Sequence, residues 1–188
     1  MLNYVCEPYK ELKEVVQTFE EQLELFFSKD FETKTNKPKQ DENLGQVFTS
    51  PILAKFMIQL LKVNLKPNSS ILDPCIGPNT FFKAMTVDFS NCHLKGVEID
   101  INLITEEINK FYESPNRTLI KGSFFDLPIT EKFDQIIQNS PYVRQELLIE
   151  GANSKDSIRY NVSSPLSTIP SQSNLYIYFL LKSILHLK

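Results

Sequence analysis

The stretch Asn139-Ser140-Pro141-Tyr142 follows the apolar run "FDQIIQ" at 133–138. An asparagine side chain offers one acceptor oxygen and an amide donor. Proline keeps the residue before it extended and stiffens the loop. Tyr142 presents a flat face, and a base stacked on an aromatic ring gains about 1–3 kcal/mol. An acceptor beside a stacking face suits a planar ring that carries an amino group. A loop tyrosine packed on a sheet edge would show the same letters, so neighbouring segments must decide.

Three other segments carry matching chemistry. "DPCIGPNTFF" holds Asp73, Pro74, Cys75, Gly77 and Asn79 at a strand-to-helix bend. Gly77 allows the backbone to approach a ligand, and Asn79 stands where a second glycine often serves, since Asn tolerates positive φ. "GVEID" places Glu98 and Ile99 about twenty positions further on, the usual spacing for an acidic acceptor of ribose hydroxyls. A solvated carboxylate, or one near the N-cap of the next helix, is the alternative for Glu98. "GSFFDLP" brings Asp126 and Leu127, a carboxylate and an apolar group suited to the edge and face of adenine. A turn aspartate is the alternative there.

These segments need a scaffold that gathers them. Short apolar runs at 70–73, 93–99, 117–122 and 133–138 read as strands. Helical patterns lie between them at 79–85 and over 100–112, where Ile101, Ile104, Ile108 and Phe111 recur. Ser50 and Pro51 open a further helix that ends near Val63. "SNLYIYFLLKSILHL" closes the chain as another. The rhythm predicts a mostly parallel, doubly wound α/β sheet, which binds ligands at the carboxyl ends of its strands. All four chemical segments fall at such ends. Upstream, Leu12, Val15, Val16, Phe19, Leu23, Phe26 and Phe27 mark an amphipathic helix within 1–28. Residues 29–43 are charged and read as a linker or mobile loop. Residues 143–171 show no clear period.

Composition narrows the class. The 188 residues carry a formal net charge of −3, with 41% hydrophobic and 23% charged residues. That balance is globular and argues against a module held on nucleic acid by bulk charge. Cys6, Cys75 and Cys92 are odd in number and have no zinc spacing, so no metal site is expected and reduced thiols are. No apolar run reaches membrane-span length and no signal peptide is visible, so a cytoplasmic location is the expectation.

The segments together resemble a family. "LGQVFTSP" (44–51), "ILDPCIGPNTFF" (71–82), "GVEID" (96–100), "GSFFDLP" (122–128), "NSPYVRQE" (139–146) and "NLYIYFLLKSI" (174–184) are similar, in order, to S-adenosylmethionine-dependent DNA adenine-N6 methyltransferases in the γ arrangement. The nearest pattern is that of restriction–modification enzymes with "GQVFTP" and "NPPYVR". The resemblance implies a Rossmann-like class I methyltransferase sheet. It implies S-adenosyl-L-methionine contacts from Thr49, Asp73, Pro74, Cys75 and Gly77. Glu98, with Ile99 beside it, would take the ribose hydroxyls. Asp126 would hold the cofactor adenine amino group, with Leu127 at the ring. A flipped target adenine would be held at N6 by Asn139 and the carbonyl of Ser140, before Pro141, and stacked on Tyr142. Asn139 also borders the cofactor. DNA is the implied partner, with a restriction endonuclease domain or a specificity subunit beside it.

The chain departs from the pattern at Ser140, where proline is usual, at Asn79, where glycine is, and at Asn174, often aspartate. Relatives continue past the equivalent of Lys188 into further strands and a target-recognition domain. The expectation is therefore that 44–188 form the N-terminal part of a catalytic domain, with a sheet incomplete on its C-terminal side and little activity alone. Methylation of RNA bases or protein glutamine, or a degenerate cofactor-binding module, are the competing readings.

Overall fold

The computed structural model describes residues 47–85, 87–142 and 173–188. The expected N-terminal helix, the charged stretch 29–43 and residues 143–171 lie outside the described residues.

Helix α1 (Pro51–Lys62) starts where Ser50 accepts a hydrogen bond from the Leu53 amide and proline fills the first position. Strand β1 (Ser70–Asp73) follows, then a one-turn helix α2 (Thr80–Lys83). Strand β2 (His93–Glu98), helix α3 (Glu106–Phe111), strand β3 (Arg117–Lys121), strand β4 (Gln135–Ile136) and helix α4 (Leu175–His186) complete the order. The strands form one parallel sheet in the order β3-β2-β1-β4. Strand order thus reverses beside β1, the place where such sheets open a crevice.

Period-2 alternation sends neighbouring residues to opposite faces. Ile71 packs with Ala54, Ile58, Phe82 and Leu94 beneath α1 and α2. Leu72 packs with Val97, Phe124, Phe133 and Phe179 beneath α4. Both Ile71 and Leu72 are fully buried, and each such side chain contributes about 1.5–3 kcal/mol. Helix α4 also ties down the loop after β3. Lys182 Nζ donates to the Phe125 carbonyl, and His186 Nδ1 contacts the Glu131 carbonyl at 2.8 Å. Burial lowers the Lys182 pKa to about 8, against the nearby Asp126 charge.

The expected helix over 100–112 is broken in two. Asp100 caps a 3-10 turn at Ile101–Leu103, and Thr105 then caps α3 separately by accepting from the Ile108 amide. β4 is shorter than the run 133–138, though Phe133 makes a parallel bridge to Leu187 just past α4. Among the described residues no helix is long and apolar enough to cross a membrane.

Candidate functional site

A cavity opens at the carboxyl ends of all four strands. Its walls come from residues 47–49 before α1, 74–78 after β1, Glu98 and Ile99 after β2, 122–125 after β3, and Asn139 and Pro141 after β4. Leu175 and Phe179 of α4 close one side.

The bend after β1 is built by the backbone. Asp73 is fully buried, and its Oδ1 accepts from the Cys75 amide at 3.1 Å. Its Oδ2 has no partner among the described residues. Burial, with the Glu98 charge adding, raises the Asp73 pKa to about 8, against the Cys75 N–H bond. Asp73 sits behind the cavity wall, where burial favours its neutral form, while Pro74, Cys75 and Gly77 form the wall itself. Gly77 has φ +51, and the Phe48 ring lies 3.5 Å from where a Cβ would stand. Asn79 adopts φ +63, as its tolerance for the left-handed region predicts. Its side chain is fully buried and accepts from the Tyr112 hydroxyl at 3.3 Å, so it does not fill the cavity. Gly96 makes that possible, because a Cβ there would collide with the Tyr112 hydroxyl and lie 2.6 Å from Ile76.

Among the described residues Glu98 is the one carboxylate in the wall. Its Oε2 accepts from the Gly77 amide and its Oε1 from the Asp100 amide, each at 2.8 Å. Burial raises its pKa, opposed by those two N–H bonds and by the Ile99 N–H. A carboxylate offers about four lone-pair sites, so capacity remains for a ligand hydroxyl.

The end of β3 departs from expectation. Ser123 caps a 3-10 turn over Phe124–Asp126 by accepting from the Phe125 amide. That turn brings Ser123, Phe124 and Phe125 to the cavity and carries Asp126 outward, into a shallow depression beside Lys182. Leu127 is buried in the α4 core. The expected residues Asp126 and Leu127 do not line the cavity, whereas Ser123 and Phe124 do. The "SFFD" letters carried a signal, since serine followed three residues later by an acidic residue is a capping pattern.

At β4, Asn139 Nδ2 donates to the Val47 carbonyl at 2.9 Å and to Thr49 Oγ1 at 3.0 Å. The Cys75 thiol donates to the Asn139 carbonyl at 3.4 Å, and burial pushes that thiol's pKa up. Thr49, Asn139 and Pro141 line the cavity; Ser140 does not. Tyr142 is 53% exposed outside it, with its ring 6.1 Å from that of Tyr176 on α4. Among the described residues its ring is exposed.

The donor set discriminates between ligands. The wall holds one carboxylate, four aromatic rings beside Phe48, and no Lys, Arg or His among the described residues. A phosphate would meet Glu98 with no cation to offset it, so the site disfavours nucleotides with phosphate chains. It fits a nucleoside-like ligand with a diol for Glu98, apolar contacts for a flat ring, and no negative charge at the centre.

A family model described as N-6 DNA Methylase matches residues 30–188. Two curated proteins of Haemophilus influenzae, the Type II methyltransferases M.HincII and M.HindII, are each 32% identical to the chain over 146 residues. That stretch is 78% of this chain and 26% and 25% of theirs. The chain thus spans about a quarter of the length of these curated relatives. A Listeria monocytogenes protein assigned to the class I S-adenosylmethionine-dependent methyltransferases superposes with a TM-score of 0.54 at 15% identity. The match covers 100% of this chain and 53% of that one, and it shows a shared fold.

Proposed function

The chain belongs to the N-6 DNA methylase family, and on that premise we propose that it holds S-adenosylmethionine in the strand-end cavity and serves an enzyme that methylates N6 of adenine in DNA. The observation that carries this reading is the wall itself: among the described residues it holds one buried carboxylate, aromatic surface and no cation, with Asn139 lining it as well. When bound, S-adenosylmethionine supplies an electrophilic methyl group on a positively charged sulfur.

The chain's own residues do the rest. Glu98 accepts from two ribose hydroxyls with the lone pairs its backbone bonds leave free. Ser123 and Phe124 border the adenine end, and Phe48 covers the Gly77 turn. The target amine is a poor nucleophile, because its lone pair is delocalised into the ring. Asn139 Oδ1 and the Ser140 carbonyl accept its two N–H groups, draw the nitrogen toward tetrahedral geometry and localise that pair. Positioning and fixed dipoles then supply most of the rate. Serine at 140 provides the same carbonyl as proline. Tyr142 offers the stacking face that offsets part of the few kcal/mol needed to flip a base. The similarity to Type II methyltransferases supports a place beside a restriction endonuclease.

Calorimetric titration of S-adenosylmethionine tests the cofactor half. Wild type should bind. Glu98→Ala should weaken binding by about a hundredfold or more, the scale of two hydrogen bonds to a charged group. Equal binding by the two proteins would show that Glu98 does not hold the ligand.

A further inference from the structure

We propose that Thr49 is a positioning residue for Asn139: with the Val47 carbonyl it fixes the amide so that Oδ1 faces the cavity as acceptor. This deepens the methyl-transfer reading and rests on it for its catalytic meaning.

Two hydrogen bonds carry the inference. Asn139 Nδ2 lies 2.9 Å from the Val47 carbonyl and 3.0 Å from Thr49 Oγ1. A carbonyl oxygen only accepts, so the edge of the amide that meets Val47 must be its NH2 group. Both N–H groups are then engaged, and the planar amide turns its oxygen the other way. The torsion that sets this orientation is otherwise soft and close to two-fold. A flipped amide would present N–H groups to an amine that also donates. The acceptor would be lost and the nitrogen lone pair would stay in the ring.

The same three residues are anchored from both sides. Ser50, next to Thr49, caps α1, so the helix start fixes where Thr49 stands. Phe48 lies against Gly77 on the cofactor side of the cavity. On the far side, the Cys75 thiol holds the Asn139 carbonyl. Residues 47–49 therefore form a strap that touches the cofactor turn with its middle residue and the amine acceptor with its outer two.

The experiment uses Thr49→Val, which keeps shape and removes the acceptor, and Thr49→Ser, which keeps the acceptor. The first arm measures water exchange of the Asn139 side-chain amide protons by NMR in the 188-residue chain, the signals being identified by their loss in Asn139→Asp. Exchange should be about tenfold faster in Thr49→Val, the scale of one neutral hydrogen bond, and slow again in Thr49→Ser. Equal rates in wild type and Thr49→Val would overturn the proposal whatever the protein methylates. The second arm measures single-turnover methyl transfer to DNA by the full-length protein at saturating S-adenosylmethionine. Thr49→Val should slow the saturated rate about tenfold or more, with recovery in Thr49→Ser. A Thr49→Val protein with weaker cofactor binding and an unchanged saturated rate would overturn the positioning role. No transfer by wild type would refute the functional reading, and the exchange arm would still decide the strap.

Discussion

Replacing Asp73 by asparagine should stabilise the chain at neutral pH, against the usual effect of a core substitution. Asp73 is fully buried, with one carboxyl oxygen bonded to the Cys75 amide and the other unpartnered among the described residues. Its pKa is raised from 3.8 to about 8, chiefly by burial. Between those values the folded chain holds a proton that the unfolded chain has released. The contribution to stability is fully present below about pH 4 and is lost as pH rises toward about 8, by roughly 1.4 kcal/mol per unit. From pH 5 to pH 7 the loss is about 3 kcal/mol. Asparagine keeps the shape and the acceptor for Cys75 and does not titrate. Urea unfolding of both proteins at half-unit pH steps measures the difference, in which titrating groups that do not interact with Asp73 cancel. The advantage of Asp73→Asn should grow by about 3 kcal/mol across that range. A difference that stays constant with pH would mean that Asp73 is ionised in the folded chain, and the buried neutral acid would be refuted.

Further outcomes follow from the same geometry. Gly96→Ala should cost about 1–3 kcal/mol by overpacking, read as a lower midpoint in urea, because the added methyl meets the Tyr112 hydroxyl and Ile76. Ser140→Pro should leave the affinity for S-adenosylmethionine unchanged by calorimetry, since that side chain lies outside the cavity wall. Asp126→Ala should likewise leave it within about twofold, whereas Ser123→Asp, which adds charge to a wall without cations, should alter it clearly.

Much of this was readable in the letters. The run "SILD" is β1 to the residue, and Gly77 and Glu98 meet through a 2.8 Å hydrogen bond, as their spacing suggested for one site. The parallel sheet followed from strands alternating with helical patterns. What escaped the letters depended on offsets of a few residues or on distant chain. Asp126 and Ser123 are three positions apart, and a single 3-10 turn decides which one faces the cavity. Phe179 reaches the wall from α4, more than fifty residues beyond Phe125, so no local pattern places it there. Asp73 is a strand-end carboxylate like Glu98, yet one lies behind the wall and the other in it. The break at Thr105 inside an apolar helical pattern reflects a local cap overriding periodicity.

The central claim is that Asn139 holds the amine of a DNA adenine for methylation from S-adenosylmethionine. The full-length protein and its Asn139→Ala variant should be incubated with duplex DNA and labelled cofactor, and the DNA digested and analysed by mass spectrometry. The account predicts N6-methyladenine from the wild type and none from Asn139→Ala at saturating cofactor. Methyl label on another base, on RNA or on protein alone, or wild-type turnover by Asn139→Ala, would contradict it.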